Sequence, residues 1–261
     1  MTRYRAILTG ASGGIGRAIA AALAPHCDAL LLVGRDPARL AQTAAAAGPA
    51  ARALVADLGT PGGRDAVSLP GVNLLIHNAG VGDFAWLAGQ SDATLERIVE
   101  TNVLAPMQLT RRLLPALERQ PEAWIVNVGS IMGYLGYPGH AAYCASKFAL
   151  RGFSEALRRE LAGGPVRVLY FAPRATRTAM NGAGVQALNT ELGVAMDDPA
   201  RVAQELLRLL RRPARERLLG MPEKLFARIN QLLPGVVDRA LRRQLSTIRR
   251  HAPAAPKGGS A

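Results

Sequence analysis

Cysteine is nearly absent from this chain of 261 residues, and the two present, Cys27 and Cys144, cannot build a disulfide framework. A reducing, cytoplasmic setting is the expectation. Long apolar runs are missing too. No uninterrupted stretch approaches the roughly 18 residues of a membrane span, so the chain is expected to be soluble or peripheral at a membrane. No secretory signal is read at the start, where MTRYR runs straight into AILTG. Acidic residues are scarce toward the C-terminus: from Arg201 onward fourteen Lys or Arg face four acids, which is +10 of the net +13 and leaves +3 for the first 200 residues. The body is therefore nearly charge-balanced, and the basicity belongs to the tail. That tail also lacks interleaved aromatics and any recognised nucleic-acid module, so nucleic acid is not an expected partner.

What is there is an alternation. Short apolar runs (RAILT, ALLLVG, RALVAD, NLLIHNAG, AWIVNVGS, VRVLYFAP) are separated by longer stretches, among them the helical IGRAIAAAL and PARLAQTAAAA. Strands that are apolar on both faces fit a parallel sheet covered on both sides by helices. The pattern predicts one α/β domain with a Rossmann-like, doubly wound parallel sheet of about seven strands, ERLLG serving as the seventh. We expect that body to span residues 1–220, a C-terminal helical extension 221–250, and a disordered Pro/Gly-rich tail 251–261.

TGASGGIG, Thr9 to Gly16, joins the first strand to the first helix. Gly10, Gly14 and Gly16 permit a tight turn, close approach of a pyrophosphate to the backbone, and close helix–strand packing. The helix N-terminus supplies partial positive charge. Its place between strand and helix is the context that turns a weak glycine motif into a dinucleotide site. At the end of the second strand stands Gly34-Arg35 rather than an acid. Arg35 suits a 2′-phosphate and favours NADP(H); the alternative is a plain solvent-exposed arginine. Asp36 reads as a helix N-cap ahead of Pro37.

Tyr143 and Lys147 lie four apart on one helical stretch, hence on one face. A free phenol, with a pKa of about 10, is a poor acid or base at neutral pH, and a neighbouring ammonium stabilises its phenolate. Alone this spacing is common. Ser130, however, follows the apolar strand AWIVNVGS, at a strand end where open α/β sheets place ligands. Asn102 is an amide inside a helical stretch, whose plain reading is a polar residue facing water or capping a break.

With these elements in order, the chain resembles the classical short-chain dehydrogenases/reductases over roughly residues 3–220, through TGASGGIG, Asp57-Leu58, Asn78-Ala79-Gly80, Asn102, Ser130 and YCASK at Tyr143–Lys147. The resemblance implies that Tyr143 is the general acid in ketone reduction. Lys147 would hold the nicotinamide ribose and depress the tyrosine pKa, Ser130 would bind the substrate oxygen, and Asn102 would support a water-linked proton relay. Asp57 with Leu58 would meet the adenine. Ser12, Ile15, Asn78, Ala79, Gly80, Pro173 and Thr178 would line the cofactor, and no metal is implied. Two departures stand out: His77 precedes Asn78 where the family has a second Asn, and Arg174 follows Pro173 where it has Gly. His77, ending a buried strand, reads as structural, and Arg174 puts the shape of the nicotinamide-side loop in question.

Residues 178–196 carry one charge, Glu191, and suit a mobile lid over an apolar substrate. Beyond them, Leu225, Phe226, Ile229, Leu232 and Leu233 share one helical face. After Pro234-Gly235, Val236, Val237, Ala240, Leu241, Leu245 and Ile248 share another, with arginines opposite. Three covers are open for these faces: the enzyme itself or a second copy, an anionic membrane, or an acidic acyl carrier. The expected function is NADP(H)-dependent reduction of a small hydrophobic carbonyl substrate, acyl types included, or the reverse alcohol oxidation, by a homo-oligomer. The alternatives are a non-catalytic NADP(H)-binding regulator and an adaptor working through the extension.

Overall fold

The computed structural model describes residues 3–252. Seven strands form one parallel sheet: β1 (Tyr4–Thr9), β2 (Cys27–Gly34), β3 (Ala51–Val55), β4 (Leu74–His77), β5 (Ala123–Val128), β6 (Val166–Ala172) and β7 (Glu216–Leu218). Their order across the sheet is β3-β2-β1-β4-β5-β6-β7, every pairing parallel. This is the predicted doubly wound sheet. The order reverses between β1 and β4, which opens a crevice beyond the C-terminal ends of those two strands.

Ten α-helices connect and cover the strands: α1 (Gly14–Leu23), α2 (Pro37–Ala47), α3 (Pro61–Asp65), α4 (Asp92–Val99), α5 (Ala105–Glu118), α6 (Ala141–Glu160), α7 (Ala183–Glu191), α8 (Pro199–Arg211), α9 (Met221–Leu232) and α10 (Pro234–His251). Their starts follow local chemistry. Asp36 accepts the Arg39 amide and Asp198 that of Ala200, each just ahead of a proline whose fixed φ suits the first helical turn. Apolar side chains on successive strand residues point to opposite faces and feed two cores. Ile19, Leu23, Leu40, Leu206 and Leu209 pack with Leu8, Leu30 and Val126 on one face. Leu109, Leu117 and Leu157 pack with Ile7, Leu75 and Ile125 on the other. Cutting one such fully buried Leu or Ile to Ala should cost about 2–5 kcal/mol.

Between α4 and α5 the helix widens into a π-helical turn, Glu100–Leu104, where the Ala105 amide reaches back to the Glu100 carbonyl. Such single wide turns gather at functional sites. The expected break at Pro234-Gly235 lies where α9 gives way to α10. The expectation of disorder over 251–261 is corrected for its first two residues: His251 closes α10, and Ala252 is buried against Phe84 and Ile248. The rest of that stretch lies outside the described residues.

Candidate active site

The glycine turn is built as its sequence requires. Gly10 adopts φ +67°, and a Cβ there would meet Ala79 Cα at 2.7 Å; a Cβ on Gly16 would meet the Gly10 carbonyl at 2.1 Å. Only glycine fits either place. Thr9 Oγ1 accepts both the Asn78 and Ala79 amides at 3.0 Å, while Asn78 Nδ2 donates back to the carbonyls of Thr9 and Gly10. The two strand ends are thereby locked side by side. The N-cap of α1 is Gly13, which has no side chain to occupy the helix's free amides. A Cβ on Gly14 would touch Thr178 Cγ2 at 2.9 Å, so Thr178 stands over that helix end.

At the end of β2, a Cβ on Gly34 would lie 2.9 Å from Ser12 Oγ, so the turn's serine closes on the place where Arg35 begins. Arg35 is exposed and makes no ion pair or side-chain hydrogen bond among the described residues. Asp57 is exposed beside it, its carboxylate accepting the Gly59 amide, and Leu58 is buried beneath. Amides, glycines and Arg35 along one crevice fit a dinucleotide: backbone donors for phosphates and an open edge at the adenosine end.

Four expected residues meet at the other end. Ser130 follows β5, and its hydroxyl accepts the Met132 amide. Tyr143 and Lys147 project from α6, with Lys147 Nζ 5.5 Å from the centre of the Tyr143 ring and bonded to the Val128 carbonyl at 3.2 Å. A Cβ on Gly80 would stand 3.4 Å from both Lys147 Nζ and Asn102 Oδ1, and one on Gly82 3.2 Å from the Tyr143 ring. The β4 exit loop thus lies close against the pair.

Asn102 neither faces water nor caps a break. It is buried, its Oδ1 accepts the Val81 amide at 2.8 Å, and its Nδ2 donates to the Val81 carbonyl at 2.8 Å and to Ser146 Oγ at 2.9 Å. The amide is spent on holding the loop at Val81 to α6.

Burial moves both members of the pair away from their ordinary values. Desolvation pushes Tyr143 up to about 12, opposed by a hydrogen bond from Ser130, and pushes Lys147 down to about 8. Both groups lose solvation on burial, and the ammonium sits over the tyrosine ring. At neutral pH Tyr143 is a phenol, the form that gives a proton away. His77 behaves as read from the sequence: it is buried, bonds Thr110 Oγ1 at 2.8 Å, and burial lowers its pKa to about 3, leaving it neutral.

These features coincide with those of known proteins. A family model described as short chain dehydrogenase matches residues 5–189. The chain belongs to the short-chain dehydrogenase family. Ketoacyl reductase HetN of Nostoc sp. is 31% identical over 262 residues, covering 93% of this chain and 89% of that protein. Nodulation protein G of Rhizobium sp. (strain N33) is 34% identical over 186 residues, 69% of this chain and 76% of that one. Among solved structures, a short-chain dehydrogenase from Sphingobium yanoikuyae in complex with NADPH superposes with a TM-score of 0.75 at 29% identity, covering 95% and 98% of the two chains. The protein is an NAD(P)-dependent oxidoreductase with the family's sheet and additional C-terminal helices.

Several partners in this dehydrogenase were not read from the sequence. His140 stacks on Phe84 with ring centres 4.9 Å apart and lies 6.3 Å from the Tyr143 ring. Its signal was its place three residues, one helical turn, before Tyr143. Tyr170 fills the space behind Ser130, where a Cβ on Gly129 would fall 2.0 Å from its hydroxyl. Arg174 needs no positive φ; its guanidinium bridges Asp197 at 2.9 Å and Glu223 at 3.4 Å, tying the loop after β6 to α9. The extension divides in two. Val237 and Ile248 of α10 turn inward, Ile248 meeting Phe84 and Leu188 of α7, while most apolar side chains of α9 face out.

Proposed function

We propose that the protein is an NADP(H)-dependent reductase of ketones on apolar substrates, acyl types included, also able to run the reverse alcohol oxidation. The observation that carries this reading is the placing of Tyr143 beside Ser130, with Lys147 over its ring, at one end of the glycine-turn crevice. When bound, a reduced nicotinamide supplies hydride to the carbonyl carbon. Ser130 donates a hydrogen bond to the carbonyl oxygen and orients it. Tyr143 gives its phenol proton to that oxygen as negative charge develops there, yielding the alcohol. Lys147 holds the ribose and, as an ammonium below about pH 8, favours the phenolate left behind. Asn102 keeps the loop of Gly80 against this group.

Arg35 supports the cofactor preference: it is an uncommitted guanidinium beside Ser12, at the position where an NAD-specific site needs an acid. Phe84, Trp86, Tyr137, Val185, Leu188 and Leu192 gather on the far side of His140 from α6, which supports an apolar substrate. The ketoacyl reductase name of the Nostoc relative points to a ketone on an acyl chain. Assembly as a homo-oligomer in the cytoplasm completes the reading.

An NADPH-oxidation screen of ketones graded by chain length tests it. Tyr143→Phe should abolish turnover while cofactor still binds, and unchanged turnover would remove Tyr143 as the acid. Arg35→Ala should erase a preference for NADPH over NADH in titrations; equal affinities in the unaltered protein would sink the assignment.

A further inference from the structure

Helix α9 is amphipathic the wrong way round for a helix that only completes a core. The residues it turns toward the body are small or polar: Ala227 is buried, Glu223 pairs with Arg174, and Asn230 donates to the Tyr134 carbonyl at 2.9 Å. Its large apolar residues point away. Met221, Leu225, Phe226, Leu232, Leu233 and Val236 are 44–79% exposed, half of all the exposed large apolar side chains among the described residues, within sixteen positions. At such exposure these side chains are left largely to solvent.

Cations flank them. Lys224 and Arg228 run along one side of the stripe, and Arg239, Arg242 and Arg243 cover the outer face of α10; all five are exposed and make no ion pair among the described residues. From residue 221 to 252 the only acids are Asp238 and Glu223, and Glu223 is taken by Arg174. Among the described residues no helix is long and apolar enough to cross a membrane.

We propose that the α9–α10 corner docks the protein on an anionic lipid bilayer. The exposed apolar side chains of α9 and of the Pro234 turn enter the boundary between headgroups and acyl chains, and the arginines of α10 meet the lipid phosphates. A second copy on this face would set five unpaired cations against five like charges. An acidic protein would answer the charge but not, by its acidity, the six exposed apolar side chains beside it; an anionic bilayer supplies both chemistries. The opposite face of α10 holds α7: Ile248 packs on Leu188, and Arg250 and His251 both pair with Glu191. Docking therefore brings α7 and the apolar wall behind it close to the lipid. This assignment does not depend on the identity of the substrate.

The test is co-sedimentation of the full-length protein with vesicles of phosphatidylcholine alone or mixed with phosphatidylserine. Binding is expected only to the mixed vesicles, weakened by added salt. Replacing Arg239, Arg242 and Arg243 together with Gln should lower affinity about five-fold per arginine. Leu225→Asp with Leu232→Asp should abolish binding; both positions are exposed, so melting temperature and NADPH turnover should stay those of the unaltered protein. Equal binding to both vesicle types, no binding to either, or variants that bind undiminished would each overturn the proposal. Retention on an acidic carrier protein without vesicle binding would replace it with a protein partner. A dimer dispersed by Leu232→Asp, again without vesicle binding, would replace it with a second copy.

Discussion

Arg174→Ala would remove a guanidinium that joins three separate segments. Asp197, whose side chain is only 2% exposed, would lose its partner at 2.9 Å and keep Arg201 at 3.0 Å, itself 63% exposed. Glu223 would lose its partner at 3.4 Å. Stranding one member of a buried pair costs about 3–5 kcal/mol. The surviving Arg201 contact reduces that figure. So do Arg174 Nε and Glu223 Oε2, which are buried without partners and make the present network imperfect. We expect a loss of about 2–3 kcal/mol, once these two discounts are applied to a buried pair. For a chain of this size that lowers the melting temperature by about 4–12 °C. Urea unfolding of Arg174→Ala, Asp197→Asn and the double variant measures it, and the pair should couple by about 2 kcal/mol. Arg174→Lys should recover part of the loss, since one ammonium cannot bridge both carboxylates as the planar fork does. A loss under about 0.5 kcal/mol, or strict additivity in the cycle, would refute the clamp.

Three further outcomes follow from the buried groups. Ketone reduction should be flat near neutral pH and decline as pH rises through about 8, where Lys147 loses its charge while Tyr143, at about 12, keeps its proton; a pH–rate profile reads this. An active Lys147→Arg variant should lose that limb, because a guanidinium stays charged, and a limb left at the same pH would clear Lys147. His77, lowered from 6.5 to about 3, stays neutral in the fold while the unfolded chain takes up a proton. Stability should therefore fall as pH drops from about 6.5 toward 3, at up to about 1.4 kcal/mol per pH unit from this group. His77→Asn should flatten that slope by one proton in urea titrations at successive pH values. Gly10→Ala should abolish cofactor binding, since φ +67° and the Ala79 backbone at 2.7 Å both exclude a methyl group; calorimetric titration with NADPH would detect any surviving site.

Much of the fold was legible because its causes are local. The six apolar runs, Pro37 and Pro199 behind their capping aspartates, and the Pro234-Gly235 break each act within a few residues, and all appear where the pattern put them. The site was legible where one residue's neighbours in sequence are also its neighbours in space, as with Thr9 to Gly16 or Tyr143 and Lys147. The residues around Asn102 suggested only an amide facing water or capping a break, and its site role came from the family resemblance, because its partners, Val81 and Ser146, lie 21 and 44 residues away. Arg174 was read as a disturbance of a loop for the same reason: Asp197 and Glu223 are 23 and 49 positions distant.

By itself, then, the sequence determined the sheet and the glycine turn and pointed to the groups proposed to handle protons, since periodicity, glycine conformational freedom and side-chain chemistry are carried residue by residue. Only the tertiary structure decided the direction in which Tyr143 and Lys147 shift and which way the two apolar faces of the extension turn. α10 spends its face on Phe84 and Leu188, whereas α9 turns its own to the outside. Both outcomes depend on how much water is removed by segments far apart in the chain, and desolvation is a property of the assembled packing.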